Sequence, residues 1–296
     1  MPMVMRSCPH ATLQVAPTWP KTRGMDTPAP STPAARLAGL VPASLPALRA
    51  SARAIAQWAR RPDDVDASRL ADIVLRDPLL CLRLLQHVAA TLGSRLRSPV
   101  QTVTAALVLT GIEPFFRAFS DLPVLEDRLA GRPAAERGAL ACVARCHAAA
   151  RVAVCFAVHR QDDDVELLHQ AALLHDFPEV LLWCEAPLAA LALHALRHDA
   201  PGGSEEEQQR CVLGGTLADV GHDLLHRWGL PVSLCDAGRA WDPDGPAGRS
   251  VALAVRIAHH LQEGWNHPAL PKDFEKAGLL LNLPPAGVAS LVRHAL

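Results

Sequence analysis

The sequence predicts an all-α fold. Half of the 296 residues are hydrophobic, and from Pro46 onward the apolar residues recur three and four positions apart, which is the period of an amphipathic helix. No alternating pattern of useful strand length appears, and proline and glycine clusters divide the chain into segments of helical length. A chain of this length and apolar content can bury a large core.

The first 35 residues differ from the rest. They are rich in proline, threonine and serine and have no periodicity, so residues 1–35 are predicted to form a disordered tail. After them, capping signals mark helix starts: Asp66, Thr102, and Asp77 before Pro78. We expect helices at 46–60, 66–75, from 78, at 100–109 and from 114. Residues 36–132 are predicted to form a first helical half.

Arg132-Pro133 marks a boundary, after which the helical pattern resumes. Residues 133–245 are predicted to form a second helical half, and residues 246–296 a C-terminal helical extension packed on it. We expect helices at 135–159, 165–176, 179–198, 205–228, 231–240, 248–264 and 273–295. The link from Arg160 to Asp164 is short, so the first two of these helices should be antiparallel neighbours.

The charge and composition exclude several classes of function. The net charge is −1, which argues against a general binder of nucleic acid or membrane surfaces, since these need a basic field. No run approaches the roughly 18 apolar residues of a membrane span, and no secretory signal is visible. The eight cysteines form no CxxC pair, as expected for small buried side chains in a reducing compartment. We therefore expect a cytoplasmic protein.

His175-Asp176, at the end of a strongly apolar helix, is the pair most able to carry chemistry. An adjacent imidazole and carboxylate can bind one metal ion together. His147 lies on the inner face of the preceding helix, so His147 and His175 are expected to point into one cavity. The alternative is a buried, hydrogen-bonded core histidine with the aspartate as its partner, and spacing alone favours this alternative.

Several motifs resemble known families. Cys146-His147-Ala148-Ala149-Ala150-Arg151-Val152-Ala153, followed by Ala171-Ala172-Leu173-Leu174-His175-Asp176, resembles the HD superfamily of metal-dependent phosphohydrolases. A second set of segments resembles the HD-related output domain, HDOD. These segments are Leu45-Pro46, Leu75-Arg76-Asp77-Pro78-Leu79, Arg83-Leu84-Leu85, Ser98-Pro99-Val100, Leu109-Thr110-Gly111-Ile112 and Arg227-Trp228-Gly229-Leu230-Pro231. The resemblance covers about residues 40 to 245 and implies a two-part helical HDOD fold with an HD-like C-terminal helical bundle.

The resemblance also implies a site. In active HD enzymes the metal ligands would correspond to His147, His175 and Asp176, with a later aspartate falling near His259-His260. His259 is therefore a fourth candidate ligand, which would keep a site for one divalent metal open.

The sequence departs from the HD pattern elsewhere. The usual Gly-Lys after His-Asp is Pro178-Glu179, and a glutamate there would repel a phosphate by a few kcal/mol at an effective dielectric near 20. Further histidines of two-metal enzymes are replaced by Leu217 and by Ala240-Trp241. We expect no cofactor and no catalytic residue.

Three functions remain in competition. The first, which the resemblance to HDOD proteins implies, is a non-catalytic bacterial signalling module that binds a protein partner or a small ligand. The second is an atypical metal-dependent phosphohydrolase that uses His147, His175, Asp176 and His259. The third is a sensor of a nucleotide second messenger, for which the sequence offers no clear arginine cluster.

Overall fold

The computed structural model describes residues 32–93, 100–199, 204–230 and 245–296. Every regular element in these ranges is a helix, which confirms the all-α prediction. The α-helices are α1 Pro33–Ala38, α2 Arg49–Trp58, α3 Ala67–Val74, α4 Pro78–Leu92, α5 Val103–Thr110, α6 Ile112–Phe119, α7 Leu125–Arg128, α8 Pro133–Arg160, α9 Val165–Leu174, α10 Phe177–Glu185, α11 Pro187–Asp199, α12 Glu205–Leu213, α13 Leu217–Arg227, α14 Pro246–Gln262, α15 Leu270–Leu281 and α16 Pro285–Ala295.

The predicted helix caps are present. Asp66 accepts the backbone N–H of Arg69 at 2.8 Å, and Thr102 caps α5 in the same way. Asp77 caps α4 and also accepts the N–H of Leu48, at 2.6 Å. A capping side chain satisfies N–H groups that the first helical turn leaves without a partner, so these three starts were readable from the sequence.

Three predicted helices, those at 179–198, 205–228 and 273–295, are each two helices in the structure. The first divides at Pro187, which begins α11. The second divides at Gly214, whose φ of 76° ends α12, and the third at Asn282, whose φ of 53° ends α15. Proline and left-handed residues stop a helix without changing the spacing of its apolar residues. The apolar period alone therefore predicts one long helix where the structure has two.

The start of the described chain lies on its later helices. α1 begins at Pro33, inside the segment predicted as a tail, with Thr32 as its cap. It packs against α10, α12 and α13. Residues 1–31, the predicted helix at 231–240 and Ala240-Trp241 lie outside the described residues. The predicted division of the chain into two helical halves and a C-terminal extension, with boundaries at 132 and 245, stays a prediction.

α8 is the central helix of the later part. It packs against α9, α10, α11, α14, α15 and α16. By length and composition alone α8 could cross a membrane, but 56% of its most apolar stretch is buried inside the protein. That burial is typical of a core helix, and two of its buried residues, Cys142 and Arg145, face the corner where α9 ends.

Candidate functional site

The candidate site is the corner between α9 and α10. His175 follows the last residue of α9, and Asp176 holds the position before the first residue of α10. Asp176 makes no capping hydrogen bond to its own helix. Its carboxylate instead meets side chains from α8 and α14, so it joins three parts of the chain that are far apart in sequence.

Three nitrogen atoms surround the Asp176 carboxylate. His175 donates from Nδ1 to Oδ1 at 2.7 Å. His259, on α14, donates from Nε2 to Oδ2 at 2.8 Å, and Arg145, on α8, donates from Nε to the same oxygen at 2.8 Å. Because a carboxylate only accepts hydrogen bonds, these contacts fix which imidazole nitrogens carry protons.

Arg145 is the most connected residue of the corner. Its side chain is only 5% exposed. Nη2 donates to Glu179 Oε2 at 2.9 Å and lies 3.2 Å from the Cys142 sulfur, while Nη1 donates to Gln262 Oε1 at 2.8 Å. Each guanidinium nitrogen therefore has an acceptor, and one buried cation bridges two carboxylates.

The network continues outward from Glu179. Its carboxylate also accepts from Arg197 of α11, at 3.1 and 3.2 Å. Arg197 in turn donates to Glu205 in the first turn of α12, at 2.6 Å. Glu179, which the sequence marked as an anion that would repel a phosphate, is thus held between two arginines.

The pKa values of the corner follow from this arrangement. Burial by itself would raise the pKa of Asp176, but the charge of His259 and the hydrogen bond from His175 outweigh it and hold that pKa well below the usual range. Burial lowers the pKa of His175, but its hydrogen bond and attraction to Asp176 reverse this, so the net pKa is raised. Asp176 is therefore ionised at neutral pH.

His147 lies elsewhere. Its Nε2 donates to the backbone oxygen of Arg76, at 3.0 Å, so the structure does not bring His147 and His175 into one cavity. The reason is helical geometry: His147 is two positions after Arg145, which turns the two side chains about 200° apart around α8. The α8 positions that face Asp176 are Cys142 and Arg145.

His259 and His260 diverge. His259 contacts Asp176, as expected of the fourth candidate ligand, whereas His260 donates to buried Asp273 at 2.5 Å. Leu217, which stands where a histidine was expected, is a buried apolar residue of α13. Of the four predicted site residues, the structure thus brings together His175, Asp176 and His259.

As arranged, these residues do not fit a divalent metal. Among the described residues, no group of three or more His, Cys, Asp or Glu side chains is placed to hold one. The imidazole nitrogens nearest Asp176 direct protons at it, not lone pairs, and the Arg145 charge is already in contact. At 4 Å and an effective dielectric of 20, the Arg145 guanidinium would repel each unit of charge on a metal ion by about 4 kcal/mol.

Arg145 and Arg197 are the residues that sequence reasoning missed. The signal for Arg145 was a charged residue inside an apolar stretch, three positions after Cys142, on a helix predicted to be central. Burying an unpaired charge is costly, so such a residue implies acidic partners. Spacing along the chain could not say that these partners were Asp176 and Glu179.

Among the comparisons with known proteins, a domain model identifies the family. The HDOD domain model matches residues 45–242, about two thirds of the chain. No curated protein matches. Among solved structures, the MmoQ response regulator of Methylococcus capsulatus is 23% identical, with a TM-score of 0.63 over 84% of this chain and 98% of its own. A virulence factor of Campylobacter jejuni is 15% identical, with a TM-score of 0.56 over 88% of this chain and 98% of its own. Identities this low show the shared fold alone, and the match of the domain model shows that the chain belongs to the HDOD family.

Proposed function

We propose that this protein is a non-catalytic regulatory module of bacterial signal transduction, which works in the cytoplasm by binding a protein partner. Membership of the HDOD family supports a signalling output role, and one protein with the same fold is named a response regulator. The single observation that supports a non-catalytic role is the position of Arg145 between two carboxylates. Its guanidinium supplies positive charge to Asp176 and Glu179 from within the chain.

The corner then serves to hold helices together. Arg145 belongs to α8 and His259 to α14, while Asp176 directly precedes α10 and Glu179 lies in its first turn. Their contacts therefore fix three helices at one point. The hydrogen bonds between these charged groups are directional, so they favour one arrangement of the three helices over others. In this proposal His175 and Asp176 hold the helices together as a structural joint, and partner binding takes place elsewhere on the surface.

Metal content and turnover test the proposal. The purified protein is incubated with manganese, iron or zinc, desalted, and measured by elemental analysis and with a chromogenic phosphodiester. We expect less than stoichiometric metal and turnover equal to buffer. His175→Ala should change neither result, and His294→Ala, at an exposed histidine of α16, is the matched control for adventitious binding.

The alternative function is an atypical metal-dependent phosphohydrolase. The meeting of His175, Asp176 and His259 is the observation that favours it. Stoichiometric metal, with turnover that His175→Ala abolishes and His294→Ala retains, would establish the hydrolase and contradict the non-catalytic proposal.

A nucleotide sensor is the further alternative. A surface pocket of about 600 Å³ is lined by Arg53, Gln57, Trp58, Arg60 and Arg61, a set of cations and an aromatic ring that the sequence did not single out. A ligand at a hundredfold excess over Kd stabilises a protein by about 2.7 kcal/mol. A rise of several degrees in Tm with a cyclic dinucleotide, absent in Arg60→Glu, would favour this function instead.

A further inference from the structure

A half-open groove lies where α8 and α11 begin. Its volume is about 510 Å³, which is within the usual range of binding pockets, roughly 300–1,000 Å³. Its apolar lining comes from the first residues of α8 and α11 and includes Pro133, Ala135, Pro187, Leu188 and Leu191. Leu188 is 81% exposed. A large exposed apolar side chain beside an apolar groove is typical of an interaction surface.

The charges that line this groove are mostly positive. Arg36 and Arg132 line it, and neither has an ion pair within the part of the chain that the structure describes. The one acidic residue of the lining, Glu185, is already paired with Arg128. The amino ends of α8 and α11 add partial positive charge. The groove therefore offers an apolar floor with a positive rim.

We propose that this groove binds a partner protein through a helical segment that carries leucine-like side chains flanked by aspartate or glutamate. The inference rests on the proposed function, because it names the kind of partner that a signalling module would bind. An apolar side chain would occupy the floor beside Leu188, and the flanking carboxylates would lie against Arg36 and Arg132. Complementary charge at a rim sets specificity and association rate.

Two other occupants fit less well. A small molecule would be left open to solvent on one side, whereas ligand pockets usually bury most of the ligand surface. The chain's own residues 1–31 carry Arg6, Lys21 and Arg23 against a single acid, Asp26. That segment has the same sign of charge as the rim, so charge complementarity favours a partner over the chain's own start.

The test uses a fluorescein-labelled helical peptide with leucines on one face and flanking glutamates, and a second peptide with lysines in place of the glutamates. Fluorescence anisotropy measures Kd for the full chain and its variants. We expect the acidic peptide to bind, and the lysine peptide to bind at least about tenfold more weakly. Leu188→Glu, and Arg36→Glu with Arg132→Glu, should each weaken the acidic peptide by a similar factor.

Leu279→Glu is the matched control, because Leu279 is an 88% exposed leucine of α15 that does not line the groove. The proposal is overturned if Leu188→Glu and Leu279→Glu give the same Kd, or if the lysine peptide binds as well as the acidic one. It is also overturned if deletion of residues 1–31 is needed for binding, or if sedimentation shows a dimer that Leu188→Glu dissociates. Metal content and turnover are measured without these variants, so the non-catalytic role stands or falls separately.

Discussion

Replacing Arg145 by methionine removes the cation of the corner while keeping most of the apolar volume of its stem. Asp176 and Glu179 would then lose a shared, buried partner, and breaking a buried pair in this way costs about 3–5 kcal/mol. Asp176 keeps its two histidines and Glu179 keeps Arg197. We therefore expect the lower end, about 3 kcal/mol, which corresponds to a fall in Tm of about 6–12 °C for a domain of this size.

Urea unfolding followed by circular dichroism measures this free energy at pH 7. Arg49→Met is the matched control, because Arg49 pairs with Asp127 at 2.9 Å with both side chains at least 36% exposed. A surface pair of this kind is worth about 0–1 kcal/mol. Equal losses for Arg145→Met and Arg49→Met would refute the assignment of the corner as a structural joint.

Two further predictions concern the first and last parts of the chain. Burial raises the pKa of Asp77 to about 6, although hydrogen bonds such as that from Leu48 oppose the rise. Because the carboxyl holds its proton more tightly in the folded protein, its protonation stabilises the fold below about pH 4. This stabilisation is lost as the pH rises through about 6. Relative to Asp77→Asn, wild type should lose up to about 3 kcal/mol between pH 4 and pH 7, and a pH-independent difference in urea titrations would contradict this. At Gly278 an added Cβ would lie 2.5 Å from the backbone oxygen of Leu283, whereas at Gly287 it makes ordinary contacts. Gly278→Ala should therefore lower Tm despite the higher helix propensity of alanine, and Gly287→Ala should not; equal Tm values would show that the backbone yields.

Local signals predicted much of the fold. Asp66, Asp77 and Thr102 cap the helices that they were expected to cap, because capping depends on residues within one turn. The positions of helix breaks within long apolar stretches were harder to predict. Pro187 and Gly214 can stop a helix, but the apolar period continues across both, so the pattern by itself predicts one continuous helix at each.

The candidate site was only partly predictable. His175 and Asp176 are neighbours in sequence, so their pairing needed no tertiary information. His259 was predicted from the resemblance to HD enzymes alone, because its contact with Asp176 joins residues 83 positions apart in sequence. His147 was expected beside His175 because both lie on helices that pack together, but the rotation of α8 about its axis places Arg145 there instead.

The sequence by itself determined the all-α class, the capped helix starts and the family, because each of these depends on short-range pattern or on motifs in order. Only the tertiary structure decided what the His-Asp corner contains. Whether a carboxylate meets a metal ligand, an arginine or water depends on the rotation and contact of helices separated by tens of residues, and that is set by the packing of the whole core. The packing of α8 against α10 and α14 brought Arg145 to Asp176, and with it a cation from within the chain.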